Sequence, residues 1–395
     1  MATRVNQPQP SAKKSNRTLL TAVIVVGAIF TLVPMLVGLY TDFLWFGELD
    51  FRGVFNRVII ARIVLFVIFA LIGGGVAYAA ALLAWRGRPA GAPTADPFSP
   101  SAQYRETIQQ GIRSLLFVVP LVVAVLSGLA GQRMWRTFLL WFNGSDFGVS
   151  DPQYGKDLGF YAFALPGLSA IVGTLSMLLI VAFLIALVAH YLLGGIRIGN
   201  RASGQRGFVS KAARVQLAFT AGLWMLLKAV SYWLERYFLL YGQNDIFTGA
   251  SYTSINAMLP AKMILTVIAV IVAAAFFASV VYKDFRIPVL ATVLMLVSSL
   301  VIGNVWPALL EQFSVKPNRQ AKEREYIGRN IESTRFAYGL TDDTVNYEEN
   351  WGADKVSNNE VADDWSTISN IRLLDPEILS PTLSLIHISE PTRLR

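Results

Sequence analysis

LSAIVGTLSMLLIVAFLIALVAHYLL, Leu168–Leu193, contains no acid, lysine or arginine, and its reading decides the fold. A bilayer core about 30 Å thick is crossed by roughly 20 apolar residues wound as a helix. Hydrocarbon offers no partner to a free peptide group, so a stretch of this kind satisfies its own backbone by coiling. Uniform apolarity also excludes a barrel strand, which alternates. Six other stretches read the same way: Thr18–Tyr40, Ile63–Trp85, Leu115–Gly131, Val215–Leu234, Ile264–Tyr282 and Pro288–Leu310. The fold class is therefore all-α and polytopic, with seven membrane-spanning helices over residues 18–310.

Composition agrees. Hydrophobic residues make up 54% of the chain and charged residues 15%, against about a quarter charged in soluble domains. The first stretch is too long for a cleaved signal and has no A-x-A-like site after Tyr40, so it reads as a retained anchor. The chain has no cysteine, which excludes disulfides, thiolate metal sites and thiol catalysis. The net charge of +8 is not a nucleic-acid signal, because the basic residues flank apolar stretches in short loops. They mark topology and contact with anionic lipid.

Those charges orient the chain. Arg4, Lys13, Lys14 and Arg17, then Arg86, Arg88, Arg105 and Arg113, fall on one side. So do Arg197, Arg201, Arg206, Lys211 and Arg214, with Lys283 and Arg286. The other side has only Arg52, Arg57, Arg62, Arg133, Arg136, Lys156, Arg236 and Lys262, diluted by acids. The positive-inside rule puts the N-terminus in the cytoplasm and everything after Leu310 outside. Trp45, Trp85, Trp135, Trp141, Trp233, Tyr237, Tyr282 and Trp306 sit near the ends of the stretches, where amphipathic rings favour headgroups.

Outside the spans, residues 1–17 read as a polar, disordered cytoplasmic tail. Gly87–Ser101 holds Pro89, Pro93, Pro97 and Pro100 and reads as an irregular loop, with Tyr104–Arg113 as a short interfacial helix. Gln320–Tyr338 reads as an amphipathic helix stopped by Gly339. Thr341–Asp364 is acidic and turn-rich, and Ile368–Leu374 reads as a strand. Residues 311–382 thus begin a soluble extracytoplasmic domain. Leu383–Arg393, LSLIHISEPTR, resembles a translated transposon sequencing adapter, so residues 383–395 are expected to be an artefact and His387 foreign.

Few side chains invite chemistry. Lys228 is the one charge well inside an apolar stretch, with Glu235 two turns on along the same face. A polar pathway is one reading, and a lysine that snorkels or pairs near the outer end is the better one. His190 lies near the cytoplasmic end of its stretch and reads as an interfacial, satisfied histidine rather than a proton relay. Gly73–Gly75, Gly128, Gly131, Gly167 and Gly173 allow close helix contact. Asp342, Asp343, Glu348, Glu349 and Asp354 lack calcium-loop spacing and read as a solvated face. There is no P-loop, no G-x-S-x-G, no H-E-x-x-H and no internal repeat. No catalytic, metal or cofactor-binding residue is assigned, and no cofactor is expected.

Four segments carry a resemblance: DPQYGKDLGFYAFALP (Asp151–Pro166), GASYTSINAMLPA (Gly249–Ala261), PNRQAKEREYIGRNIESTRFAYGL (Pro317–Leu340) and NIRLLDPEILSPT (Asn370–Thr382). Over about Arg17–Thr382 the chain resembles the large bacterial seven-helix membrane proteins of uncharacterised protein family 0182. The resemblance implies seven N-terminal helices followed by a large extracytoplasmic region, and it supplies no reaction or site residue. Asp151–Pro166 and Gly249–Ala261 both fall outside by the charge count. They dock the following domain, or they are interfacial packing by Phe160, Tyr161, Phe163 and Tyr252. Ser254 stands where an acid is expected, which argues against metal binding there.

The sequence thus describes a multi-pass cell-membrane protein that anchors an extracytoplasmic domain. Its expected role is envelope assembly or service to other membrane proteins, with lipids and envelope or membrane proteins as partners and no nucleic acid. The alternative is a transporter or channel for a lipid or other apolar solute.

Overall fold

A computed structural model describes residues 17–89, 100–197, 207–244, 247–282 and 286–346, with 365, 369–371 and 380. Ten α-helices are described: α1 (Arg17–Glu48), α2 (Arg52–Arg86), α3 (Pro100–Gln132), α4 (Trp135–Phe142), α5 (Leu165–Leu192), α6 (Lys211–Glu235), α7 (Leu259–Tyr282), α8 (Arg286–Leu300), α9 (Trp306–Leu310) and α10 (Arg319–Ala337). Two-residue strands β1 (Ile196–Arg197) and β2 (Phe208–Val209) pair antiparallel between α5 and α6. The chain divides at Ile327 into two units.

Six described helical runs are long and apolar enough to cross a membrane. A seventh is reached only if Leu116–Gln132 and Trp135–Phe142, bent by 57° at the intervening break, count as one span. That pair holds the third apolar stretch. The short helix α4 is a departure from the sequence reading, which treated Trp135 and Trp141 as interfacial aromatics. Phe138 and Trp141 instead pack into the bundle with Leu65, Phe69 and Ile171.

Helices also run past the hydrophobic limits. α2 starts at Arg52 rather than Ile63, and α3 starts at Pro100, absorbing the expected interfacial helix Tyr104–Arg113. Proline suits the first turn because its fixed φ is helical and its missing N–H has no acceptor there. Pro93 and Pro97 lie outside the described residues.

The packing is inverted relative to a soluble protein. Ala77, Ala80, Ala81 and Ala84 of α2, Ala182 and Ala186 of α5, and Ala269 and Ala273 of α7 are buried. Leu71, Phe117, Leu121, Ile271 and Leu290 point outward. Contiguous outward apolar surface of this extent needs a hydrocarbon solvent. Small residues bring helices close where lipid gives no hydrophobic push. A Cβ on Gly74 would lie 2.9 Å from Ala124 Cβ, and on Gly131 2.6 Å from Phe69 Cβ, so glycine lets α2 and α3 touch. Gly73, Gly128 and Gly167 are equally close to Ser127, Phe66 and Trp141. Gly75 and Gly173 face open space, and the packing expectation fails there. α6, α7 and α8 share a core of Met225, Ala229, Tyr232, Leu265, Val272 and Met295. α1 stands apart: its most apolar window is unburied, and it meets α2 through Phe43 and Phe46 on Phe55.

Single π turns precede α5 (Phe160–Ala164) and α7 (Ser254–Met258), and two more, Val301–Val305 and Glu311–Val315, flank α9. The seventh stretch and the helix expected after it therefore join into one long run interrupted by extra residues. π turns recur at functional sites, and these four fall at the end of the bundle bearing Asp151–Pro166 and Gly249–Ala261. In the second unit, α10 closes as the sequence predicts. Gly339 takes φ +67°, Leu340 N–H donates to Arg335 O, and Gly339 N–H to Phe336 O, the hydrogen-bond pair of a glycine stop. Most of Ile368–Leu374 and all of 383–395 lie outside the described residues.

Candidate functional site

The polar chemistry of the described residues gathers at that end, in two connected parts. The first is a closed turn. Asp151, 6% exposed, accepts from the N–H groups of Gln153 (2.7 Å), Tyr154 (2.9 Å) and Lys156 (3.2 Å) and from the Tyr161 hydroxyl (2.6 Å). A buried carboxylate is stable only when its lone pairs are met, and here one side chain ties a loop to the first turn before α5. Gly155, at φ +63°, supplies the left-handed step that a side chain would resist. Asp157 accepts from the N–H groups of Phe147, Gly148 and Gly159. Those donors, Phe147 and Gly159 foremost, hold its carboxyl below the usual range.

The turn is docked onto the end of α6. Tyr154 donates its hydroxyl to Arg236 O at 2.7 Å, and Tyr241 donates to Tyr161 O at 2.6 Å. The Arg236 guanidinium lies 3.4 Å from the Trp233 ring centroid and also covers Tyr237 and Tyr154. Burial pushes Tyr154 up to about 12, with Arg236 opposing. Asp151–Pro166 is therefore a structural clasp within the bundle, and its aromatics Phe160 and Tyr161 pack with Tyr237, as the packing reading of this loop expects.

The second part is a cavity of about 430 Å³ whose lining includes Gln243, Thr253, Asn304, Glu311, Arg319 and Glu323. Tyr252 N–H donates to Glu323 Oε2 at 2.9 Å. Thr253 donates to Glu311 Oε2, and Arg319 pairs with Glu311 Oε1 at 3.2 Å. Lys322 donates to the Tyr252 hydroxyl and Asn256 to the Tyr326 hydroxyl. Burial raises the Glu323 carboxyl, partly offset by the Tyr252 N–H, and nearby Glu311 raises it further. Gly249–Ala261 thus clasps the first turns of α10. Ser254 and Ser251 share a hydroxyl–hydroxyl bond of 3.0 Å, and no group of three or more metal-ligating side chains occurs among the described residues.

The residues singled out by sequence sit elsewhere. Lys228 lies 3.9 Å from Glu235, but Glu235 is held more closely by Lys262, at 2.5 Å, and by Ser231 at 2.8 Å. Both lysines face the Tyr232 ring. The cluster is partly exposed and internally paired. His190 is fully buried among protein side chains near the ends of α2 and α5. Its Nε2 lies 2.9 Å from Gln216 Oε1, while Gln216 Nε2 donates to Ala80 O, so α5, α6 and α2 are linked through one amide. The described acids Asp342 and Asp343 join no metal-ligating group, and Glu348, Glu349 and Asp354 lie outside the described residues.

Sequence reasoning missed Glu311, Arg319, Glu323 and Gln216. Arg319 and Glu323 stand at i, i+4 on α10 and were visible as a pair. The approach of Glu311 and of the Ser/Thr-rich segment to them was not.

Comparison with known proteins settles the family, because the model of the uncharacterised protein family UPF0182 matches residues 19–387. The chain belongs to UPF0182. It is 58% identical over 384 residues to the UPF0182 protein Cgl0786/cg0896 of Corynebacterium glutamicum, covering 97% of this chain and 39% of that one. It is 55% identical to the UPF0182 protein DIP0733 of Corynebacterium diphtheriae over the same extent, and 46% identical to a UPF0182 protein of Rhodococcus opacus, covering 95% and 38%. The chain thus spans about two fifths of the length of the UPF0182 relatives it matches. No solved structure matches it.

Proposed function

We propose that this chain is the membrane part of a multi-pass cell-membrane protein that anchors an extracytoplasmic domain. In this reading it serves envelope assembly or other membrane proteins. It crosses the bilayer seven times, with α3 and α4 together forming the third crossing, the N-terminus in the cytoplasm and α10 outside. The observation that carries the reading is the clasp of Gly249–Ala261 on the first turns of α10, through Tyr252–Glu323 and Asn256–Tyr326. A mere membrane tag has no use for so many bonds at the root of its outgoing helix. Fusion of a periplasm-active phosphatase after Gly339 is expected to be active, and a cytoplasm-only reporter there silent. The reverse result overturns the orientation. With no native cysteine, Asn256→Cys with Tyr326→Cys is expected to cross-link in membranes. Failure to do so, with the protein folded, removes the fixed root.

A second reading, transport of a lipid or apolar solute, is supported by a cavity of about 530 Å³ between α5, α6, α7 and α8, lined by Phe183, Trp224, Met225, Phe276 and Val293. In vesicles, it predicts exchange of fluorescent lipid between leaflets that Ala221→Trp blocks. No exchange, or exchange insensitive to that change, rejects it.

A further inference from the structure

The cavity beside α10 carries more than the clasp requires. Its lining balances two cations, Lys316 and Arg319, against two carboxylates, Glu311 and Glu323. Glu311 is paired with Arg319 at 3.2 Å and with Thr253, and Lys316 Nζ donates to Gln312 Oε1 at 3.0 Å. Glu323 is 4% exposed. One of its oxygens accepts from Tyr252 N–H, and its other oxygen has no hydrogen-bond partner among the described residues. Around it stand side-chain amides (Gln243, Asn304) and hydroxyls (Thr253, Ser254), groups that both donate and accept. Phe247, Met258 and Pro307 add apolar faces. The volume of about 430 Å³ is within the roughly 300–1,000 Å³ of small-molecule sites.

That lining selects a ligand class. An inorganic cation needs a convergent set of anionic or imidazole ligands, which the described residues lack. An anion such as phosphate meets Glu323. A ring bearing adjacent hydroxyls suits both features. Two neighbouring O–H groups donate to one open carboxylate oxygen and an amide, their oxygens accept from Arg319 or Gln243, and the C–H face lies on Phe247. We propose that this cavity binds an uncharged, hydroxyl-rich group of sugar or polyol type, either free or as the headgroup of a glycolipid. The site is independent of whether α10 carries a domain.

The test uses the whole chain in phosphatidylcholine nanodiscs prepared without sugar detergents. Glucose, galactose, myo-inositol and octyl glucoside are titrated, with phosphocholine and inorganic phosphate as charged competitors. At least one sugar or polyol probe is expected to bind with a Kd of about 1 mM or tighter. Octyl glucoside binding without glucose binding assigns the headgroup source, and equal binding assigns the free sugar. Gly303→Leu adds a side chain at the cavity wall, where a Cβ meets only Leu265 Cδ1 at 3.5 Å and Ser299 Oγ at 4.0 Å. It is expected to weaken binding at least about tenfold with the unfolding temperature unchanged. Glu323→Gln retains an acceptor for Tyr252 and is expected to weaken binding similarly, and Asn304→Ala, at an exposed position, gives a second arm should either variant misfold. Absence of sugar or polyol binding, displacement by phosphate or phosphocholine, or binding untouched by these variants overturns the proposal.

Discussion

Replacing Asp151 by alanine tests the clasp most directly. The side chain accepts four hydrogen bonds, three from backbone N–H groups and one from the Tyr161 hydroxyl, between 2.6 and 3.2 Å. Each buried donor left unmet costs about 1–3 kcal/mol. The three N–H groups are only part-buried, so water satisfies some of their need and the lower end applies. The sum is about 3–5 kcal/mol, at the large end for a single change. Asp151→Asn keeps one acceptor oxygen and is expected to lose roughly half of that. Tyr161→Phe removes a single bond and is expected to cost about 1 kcal/mol. Combined with Asp151→Ala it should add little, since the shared bond is already gone. Unfolding of the whole chain in mixed micelles, followed by tryptophan fluorescence, gives the free energies. Limited trypsin digestion gives the location, because a loosened turn lets the already exposed Lys156 adapt to the protease. If Asp151→Ala unfolds within about 0.5 kcal/mol of the parent and Lys156 stays protected, the turn does not depend on this carboxylate.

Lys228→Leu is expected to change stability by less than about 1 kcal/mol, since the pair is long and partly exposed, whereas Glu235→Leu strands two lysines and should lower both yield and stability in membranes. Gln216→Leu, which cuts His190 from α6 and frees Ala80 O, is expected to cost about 1–3 kcal/mol in the same unfolding assay, with Gln216→Glu partly rescuing it. Burial holds the Glu323 carboxyl above the usual range, so the folded protein binds that proton more tightly than the unfolded chain does. Its contribution to stability therefore falls as pH rises from the ordinary glutamate range to the raised value. The unfolding free energy should drop over that window, and Glu323→Gln should abolish that component of the change. Asp157 works in the opposite sense: its depressed carboxyl supports the 147–159 turn above the ordinary aspartate range and loses that support as pH falls toward its lowered value.

The apolar stretches were legible because lipid imposes one rule on all of them, and Leu168–Leu193 reads as a helix without reference to any neighbour. Their ends were less legible. Nothing at Phe51 or Pro100 marks the edge of hydrocarbon, and a helix continues wherever its backbone has no better partner, so α2 and α3 outrun their apolar cores. The break before α4 was hidden, because Gln132–Met134 holds neither proline nor glycine and the turn is made by i to i+3 bonds from Arg133 and Met134. Gly73, Gly128, Gly131 and Gly167 showed where helices meet, although Gly75 and Gly173, identical in sequence terms, face open space. The Asp151 turn and the α10 clasp lay within segments picked out by resemblance, but the cavity did not show in the sequence. It needs Glu311, Thr253 and Glu323 to converge from three places, and local pattern records only Arg319 and Glu323 as neighbours.

The loose attachment of α1 bears on how the protein is made. Among the described residues α1 meets α2 near Phe43–Phe46, and its most apolar window is unburied. It can therefore be threaded into the bilayer and fix the direction of insertion before any of the later segments exist. The bundle from Arg52 onward then assembles without waiting for it, so swapping α1 for an unrelated greasy helix of the same polarity should leave the remainder intact.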